Sequence, residues 1–246
     1  MDTVSKEKKW GITGTGIKLI AFVSMLIDHI GVILLGQHMA DTDSIWYQLP
    51  WNQKQMLSCY SILREIGRLA FPLFCFLLVE GAMYTSNRRR YLCNMLLFAV
   101  LSEVPFDLGI HGQIFYWDSQ NVFWTLALGL LAIYACDHWN MQGIFPWLSV
   151  IGCSLVAYFL RVDYGFAGVV LMVFFWLFRF QPLARALMCS AWMVFGIGLP
   201  EAAGIFAFIP IYFYNGKRGW AGKVKYLFYL FYPLHLLLLY GISQWM

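Results

Sequence analysis

Residues 17–36 read IKLIAFVSMLIDHIGVILLG, an apolar run whose charged or titratable residues are Lys18, Asp28 and His29. A helix needs roughly 20 apolar residues to cross the hydrocarbon core of a bilayer. Further apolar runs follow at 62–83, 91–109, 121–137, 145–161, 164–180, 184–199, 201–214 and 226–245, of which the run at 201–214 is short. The pattern predicts an all-α, polytopic membrane bundle with about nine transmembrane helices.

The composition leaves little chain for anything outside the membrane. Of the 246 residues, 61% are hydrophobic and 12% are charged, and the mean hydropathy is +0.64. A soluble domain carries about 25% charged residues. We therefore expect a single domain over residues 1–246, with no large soluble part and no nucleic-acid partner.

The basic residues predict how the chain is oriented. If the N-terminus is cytoplasmic, most of the 17 lysines and arginines fall in inner segments, as the positive-inside rule requires. The residues concerned are Lys6, Lys8, Lys9, Lys18, Arg88, Arg89, Arg90, Arg179, Arg185, Lys217, Arg218, Lys223 and Lys225. We expect a protein of a bacterial plasma membrane whose first apolar run is retained as a span.

Metal or disulfide chemistry is not indicated. The six cysteines are scattered, form no CxxC pair and lie mostly within apolar runs, as packing residues do. The longest connection, at about 37–61, is predicted to be an outer loop that carries Asp41, Asp43, Trp46 and Trp51.

The most informative residues are the polar ones inside apolar runs. They are Asp28, His29, Arg68, Glu103 and His235, with Arg64 and Asp107 near helix ends. Each charge near the bilayer centre costs about 2.5–3.5 kcal/mol on insertion scales, so these groups must face one another or water. The span directions place them, with Gln120 and Asn121, mainly in the outer half of the bundle.

Several pairings and roles are open for these residues. Arg64 and Arg68 either lock helices together by pairing with Glu103 and Asp107, or stabilise developing negative charge on a substrate. Asp28 either supports catalysis or pairs with Arg64, Arg68 or His235. Gln120, Asn121 and His235 either make buried hydrogen bonds or contact an acceptor substrate. Arg88, Arg89 and Arg90 either determine the membrane topology or bind phosphate.

The spacing of Lys18 and His29 suggests a donor substrate. Eleven residues at about 100° each make about three full turns, so both side chains share one helix face about 16 Å apart. That separation is close to the length of the pantetheine arm of coenzyme A. An acyl-CoA bound by its phosphates near Lys18 would present its thioester to His29. That histidine would either act as a general base, to which it is suited near neutral pH, or first take the acyl group itself and pass it on.

Six motifs resemble the TraX family over nearly the whole chain. They join polar residues to a fixed apolar context in the segments Ile17–Ile20 with Asp28–Gly31, Leu63–Phe74, Glu80–Gly81, Ser102–Asp107, Gln120–Phe123 and Tyr232–Leu236. That family is known for acetylating the N-terminus of conjugative pilin. It is also similar to wider membrane acyltransferases, in which a basic residue precedes a functional histidine in the first span, as Lys18 precedes His29 here.

The resemblance implies an acetyltransferase that uses cytoplasmic acetyl-CoA. The acceptor is expected to be an amine or hydroxyl at or beyond the outer face, on a protein N-terminus or a surface glycan. His29 and Asp28 are the expected catalytic residues, Lys18 and Arg88–Arg90 the expected coenzyme A ligands, and Arg64, Arg68, Glu103, Asp107, Gln120, Asn121 and His235 the expected oxyanion or acceptor contacts.

Two other classes fit the same residues. Intramembrane Asp, His, Glu and Arg also form the proton relays of ion-coupled transporters, although no inverted repeat is visible. A non-catalytic membrane assembly factor would tolerate changes of Lys18 and His29.

Overall fold

The computed structural model describes residues 10–39, 52–220 and 225–246, and this part of the chain is helical without a β-strand. The predicted loop residues Asp41, Asp43, Trp46 and Trp51 lie outside the described residues. The α-helices are α1 Gly14–His29, α2 Gln53–Gly67, α3 Ala70–Tyr84, α4 Arg88–Phe106, α5 Val122–His138, α6 Phe145–Phe159, α7 Gly165–Leu177, α8 Pro182–Trp192, α9 Phe208–Tyr212 and α10 Lys225–Ser243.

Short non-α segments continue several of these helices. Ile30–Gly36 follows α1, Asp107–His111 follows α4 and Met193–Ile197 follows α8 as π-helical turns, and Leu199–Ala207 is a 3₁₀-helix before α9. Single π turns within helices often occur at functional sites. Here the first two begin directly after His29 and Phe106, where the polar residues of the sequence lie.

Polar side chains and prolines define where the helices begin. Thr13, Asn52, Asn87 and Asn121 each accept a hydrogen bond from a backbone N–H in the first turn of α1, α2, α4 and α5, which satisfies a donor that the helix leaves unpaired. Proline occupies the first turn of α6 and α8, where its missing N–H costs nothing.

Two groups of helices form the bundle. One group consists of α5 with α4, α6 and α7 packed around it, and the other consists of α1 packed on α2 and α3. Contacts between α3 and α7 join the groups, and α10 returns to lie against α4 and the π-helical segment after α1. The last helix therefore reaches the end of the first, where Asp28 and His29 lie.

The core between the helices is apolar and close-packed. Its fully buried residues include Leu73, Phe76, Leu130 and Leu171. At Gly129 an added Cβ would lie 2.3 Å from the sulfur of Met172, so α5 and α7 approach as closely as glycine allows.

The outer surface is also apolar, as it is in a membrane protein. Large side chains point away from the bundle on many helices, such as Phe159 at 74%, Leu183 at 74% and Phe195 at 88% exposure. Soluble monomers rarely expose large contiguous apolar areas. The apolar helices and this surface together indicate a membrane protein.

Two continuous helical stretches, Gly14–Gly36 and Arg88–His111, are long and apolar enough to cross a bilayer among the residues described. The other apolar helices in the described ranges are shorter, at 10–17 residues. The sequence predicted about nine spans, and that number stays a prediction.

Two boundaries predicted from the sequence are wrong. The apolar run 62–83 is not one helix, because a turn at Arg68 and Leu69 separates α2 from α3. The predicted loop at 37–61 ends early, since α2 begins at Gln53 with Asn52 and Gln55 in a reciprocal capping box. Residues 201–214 form a 3₁₀-helix followed by the short α9.

Candidate active site

His29 at the end of α1 contacts His235 in α10. The distance between His29 Nδ1 and His235 Nε2 is 2.7 Å, and the ring centroids are 4.9 Å apart. The other ring nitrogen of His235, Nδ1, lies 2.7 Å from the carbonyl oxygen of Phe231. The two histidines, which are 206 positions apart in sequence, thus form one hydrogen-bonded unit.

The Phe231 carbonyl determines where the hydrogens of this unit lie. A carbonyl oxygen only accepts, so His235 Nδ1 carries a hydrogen, and a neutral His235 then offers the lone pair of Nε2. His29 Nδ1–H donates to that lone pair, which leaves His29 Nε2 as the basic nitrogen. His29 Nε2 makes no hydrogen bond within the described parts of the chain.

Asp28, the neighbour of His29, pairs with Arg64 of α2. The distance between Arg64 Nη1 and Asp28 Oδ2 is 2.6 Å, one of the pairings that the sequence left open. The second oxygen, Oδ1, is buried without a hydrogen-bond partner among the described residues. An added Cβ at Gly67 would lie 2.1 Å from that oxygen, so α2 has room for Asp28 only because residue 67 is glycine.

Arg68 lies one turn further on and has other partners. Its Nη1 is 2.6 Å from Glu201 Oε1, and its side chain also shares a hydrogen bond with the Tyr164 hydroxyl. The Tyr164 ring stacks on Phe71 at 3.7 Å between centroids. Arg68 therefore joins the break between α2 and α3 to the 3₁₀-helix and to the start of α7.

The pairing of Arg64 and Arg68 with Glu103 and Asp107, one of the two alternatives left open by the sequence, is not what the structure shows. Glu103 accepts hydrogen bonds from Asn121 Nδ2 at 2.5 Å and from Trp124 Nε1 at 2.8 Å. Asp107 accepts one from the backbone N–H of Tyr116 at 2.9 Å. The arginines lie instead beside acids from α1 and the 3₁₀-helix, whose proximity only the tertiary fold produces.

Asn121 links three features at the start of α5. It caps the helix, donates to Glu103, and donates to the carbonyl oxygen of Ala99 at 2.8 Å. The backbone of its neighbour Gln120 bonds with Arg161 and Asp163, and the Gln120 side chain donates to the carbonyl oxygens of Tyr116 and Trp117. Both residues thus satisfy buried groups, as the sequence allowed, and contact with an acceptor stays a prediction.

The turn between α6 and α7 brings Asp163 to the same region. Arg161 and Tyr164 adopt left-handed φ values of 53° and 61°, which are unfavourable for such side chains. The Thr125 hydroxyl donates to the Asp163 carbonyl oxygen, and the Asp163 carboxylate accepts from the Tyr164 N–H at 3.0 Å. Burial and the nearby Asp28 raise the pKa of Asp163 to about 6, against the opposing effect of Arg68 and Arg64.

These groups form one site, which we call the polar centre. It comprises Asp28, His29, Arg64, Arg68, Glu103, Asn121, Asp163, Tyr164, Glu201, Tyr232 and His235. Tyr232 lies in the middle, because it is within electrostatic range of Asp28, Glu103 and Asp163 and its ring contacts His29 and His235. The centre places the base His29 near two arginines and several carboxylates within an apolar bundle.

Four members of the polar centre were not predicted from the sequence. Asp163 and Tyr164 lie at a turn between two apolar runs, Glu201 begins the weakest run, and Tyr232 resembles the many other aromatic residues. The left-handed turn and the Tyr-Pro-Leu-His segment were the available signals.

The predicted coenzyme A ligands lie away from the polar centre. Lys18 Nζ lies 5.4 Å from the centre of the Phe228 ring, on the α1 face that also carries His29 toward α10. Arg88 is paired with Asp137 at 2.5 Å. Arg89 and Arg90 are exposed.

The fold and the site define an all-helical membrane protein with a buried histidine pair and a charged centre. The chain belongs to the TraX family, whose description reads TraX protein and which matches residues 13–243. It is also 29% identical over 249 residues to the probable fimbrial assembly protein FimC, serogroup H1, of Dichelobacter nodosus, with 91% of this chain and 92% of that protein covered. No solved structure gives a significant match.

Proposed function

We propose that this protein is an integral-membrane acetyltransferase of a bacterial plasma membrane, with its N-terminus in the cytoplasm. It moves an acetyl group from cytoplasmic acetyl-CoA to an amine or hydroxyl at or beyond the outer face. Membership of the TraX family, which is linked to pilin acetylation, supports this assignment. The observation that carries the proposal is the His29–His235 pair.

The pair supplies a general base with a defined orientation. His235 holds the Nδ1–H of His29, so His29 Nε2 is free to accept a proton from the acceptor. A histidine fixed by a second group in this way is a recurring arrangement in acyl-transfer enzymes. Asp28 does not orient the ring, because its carboxylate is bound to Arg64.

The transfer then proceeds by attack on the thioester. The acceptor nitrogen or oxygen forms a bond to the carbonyl carbon while His29 Nε2 takes its proton. The tetrahedral intermediate collapses, the carbon–sulfur bond breaks, and His29 returns the proton to the thiolate of coenzyme A.

Arg64 is the better candidate for stabilising the oxyanion. It lies within electrostatic range of His29, and its bond to Asp28 uses one of its five N–H donors. Arg68 is held by Glu201 and Tyr164 on the far side of the centre. We therefore assign charge stabilisation to Arg64 and a structural role to Arg68.

The acceptor that we favour is the N-terminus of a pilin-like protein. The relative from Dichelobacter nodosus carries the name of a fimbrial assembly protein, and a surface glycan is the alternative. A non-catalytic assembly role is the competing function, since that name mentions assembly and no chemistry.

The test is transfer of labelled acetyl from acetyl-CoA in native membranes, with protein, glycan and lipid products separated. We expect His29→Ala to lower the rate by about 10²–10⁴-fold, the usual contribution of a general base. His138→Ala is the control, because His138 is exposed at the end of α5 and should keep the wild-type rate.

The product fraction that becomes labelled identifies the acceptor class. Equal labelling by wild type and His29→Ala would exclude the proposed chemistry. Normal fimbrial assembly in the same His29→Ala strain would then favour the assembly role.

A further inference from the structure

A clasp joins the residues before and at the start of α1 to the segment that follows α9. We use that name for Gly11–Thr15 together with Phe213–Gly219. Four backbone hydrogen bonds and two from side chains connect the segments, including Gly14 N–H to the Lys217 carbonyl at 2.7 Å and Thr15 N–H to the Arg218 carbonyl at 3.1 Å. The Thr15 hydroxyl also donates to the Arg218 carbonyl at 3.1 Å.

The two segments of the clasp pack with their backbones in close contact, which makes the clasp rigid. An added Cβ at Gly14 would lie 3.2 Å from the Arg218 carbonyl oxygen. Gly219 has a φ of +73°, and an added Cβ there would lie 2.5 Å from the Thr15 hydroxyl oxygen. This packing fixes the backbone that carries Arg218 against the first turns of α1.

Two cations come together at the clasp, and Glu80 is a carboxylate within electrostatic range of one of them, Arg218. Lys18 and Arg218 are close enough to repel each other. Neither lies within ion-pair distance of a carboxylate in the described ranges, whereas Arg64, Arg68, Arg88 and Arg161 all do. Two neighbouring positive charges, one of them half-buried, are unfavourable unless an anion lies between them.

The clasp lies at one end of a line of contacts that leads to the polar centre. Lys18 lies over Phe228, whose ring stacks with Phe22 at 5.2 Å. Phe22 in turn contacts Phe231 at 4.9 Å, and Phe231 stacks on His235 at 4.9 Å. Along α1 the distance from Lys18 to His29 is about 16 Å, from eleven residues at 1.5 Å each.

We propose that Lys18 and Arg218, held together by the clasp, form a phosphate-binding site for the phosphorylated adenosine end of acetyl-CoA. This inference rests on the proposed function, which supplies acetyl-CoA as the donor. The pantetheine arm then follows the contact line between α1 and α10 to His29. Arg88 is a weaker candidate for the same role, because Asp137 already neutralises it.

Binding of labelled coenzyme A to the purified protein tests the site without relying on activity. We expect Arg218→Gln and Lys18→Gln each to weaken coenzyme A binding about tenfold or more, the loss of a charge-assisted hydrogen bond. Lys18→Arg should bind nearly as well as wild type. Lys54→Gln is the matched control, since Lys54 is exposed in the first turn of α2 and belongs to neither basic segment, and it should not change binding.

Competition experiments separate the possible sources of the phosphate. Coenzyme A should displace the label, whereas pantetheine, which lacks phosphate, should not. No binding of labelled coenzyme A, together with binding to phosphatidylglycerol nanodiscs that Arg218→Gln and Lys18→Gln weaken, would overturn the assignment in favour of a lipid headgroup.

The proposed location of the phosphate site can be wrong even if the protein is an acetyltransferase. If Arg89→Gln weakens binding and Arg218→Gln does not, the clasp is not the phosphate site, although His29-dependent acetyl transfer would still support the enzyme. Each glutamine variant should keep the thermal stability of wild type in detergent. Arg218→Gln and Arg89→Gln check each other because they lie on different segments.

Discussion

At the scale of single residues, His235 matters because it fixes the hydrogen on His29. His235→Gln keeps an acceptor oxygen in reach of His29 Nδ1–H, whereas His235→Ala leaves that donor unpaired. We expect the alanine variant to lower kcat about tenfold more than the glutamine variant, with KM for acetyl-CoA little changed. Acetyl-transfer kinetics of both variants at equal expression check this, and equal losses would exclude an orienting role.

Asp163 gives the polar centre a pH-dependent stability. Its pKa is about 6 in the folded protein and about 3.9 in an unfolded chain, so the folded state holds the proton more tightly. Stability therefore falls as the pH rises from about 4 to 6 and stays lower above that window. The charges that face Asp163 are those of Asp28, Arg64, Arg68 and Glu201.

Replacing Asp163 with asparagine removes this titration and keeps an oxygen for the Tyr164 N–H. We expect Asp163→Asn to have a Tm several degrees above wild type at pH 7.5, with the difference vanishing near pH 4. Thermal unfolding in detergent across this range is the measurement. Asp118→Asn is the control, because Asp118 is exposed in its pair with Arg161 and should show no such rise.

The sequence predicted which residues matter better than it predicted their partners. Asp28, His29, Arg64 and His235 are conspicuous because a polar residue in an apolar run is costly. Their pairing depends on which helices are neighbours, and Asp163 and Glu201 reach the centre through a turn and a 3₁₀-helix that no periodicity marks. Gly67 is a similar case. The need for glycine at this position becomes visible only in the folded structure, where Asp28 packs against it.

At the scale of helices, Asn121 and Asn52 are caps in different surroundings. Asn52 is an exposed cap of α2, and its loss should cost about 1 kcal/mol. Asn121 also donates to Glu103 and Ala99 in a buried setting, so Asn121→Ala should cost about 3 kcal/mol because buried acceptors lose their donor. Thermal unfolding of both alanine variants checks the order, and a smaller loss for Asn121→Ala would contradict it.

The breaks between helices were the least predictable part of the fold. Between α2 and α3 the apolar pattern continues through Arg68 and Leu69, and the signal in the sequence is Pro72, whose ring and missing N–H exclude a helical hydrogen bond to the Arg68 carbonyl. The partners of the Arg68 side chain at this break, Glu201 and Tyr164, come from tertiary structure and could not be predicted. Helix starts were easier to predict in principle, since Asn and Thr caps and first-turn prolines are visible in the sequence.

At the scale of the whole molecule, basic residues gather at one end of the bundle. Arg88 and Arg179 line a pocket together with Asp137 and Tyr134, where α3, α4, α5 and α7 begin or end. Arg218 reaches Tyr84 at the end of α3. This grouping agrees with the orientation that the positive-inside rule predicts.

Cysteine labelling in intact cells tests that orientation. Ser86 precedes α4 and Gln113 follows its far end, and both are exposed. An impermeant maleimide should label Gln113→Cys in intact cells and Ser86→Cys only after permeabilisation, in each case above the signal of the native cysteines. The reverse pattern would place the N-terminus outside.

The clasp has a consequence for synthesis of the chain. Thr15 and Arg218, which it joins, are separated by 203 positions, so the first helix leaves the ribosome long before its partner segment exists. Contacts between such distant segments form late, after the chain between them has been made. A chain that stops short of Asn215 therefore cannot close the start of α1, so the clasp forms only after the helices up to α9 have been made.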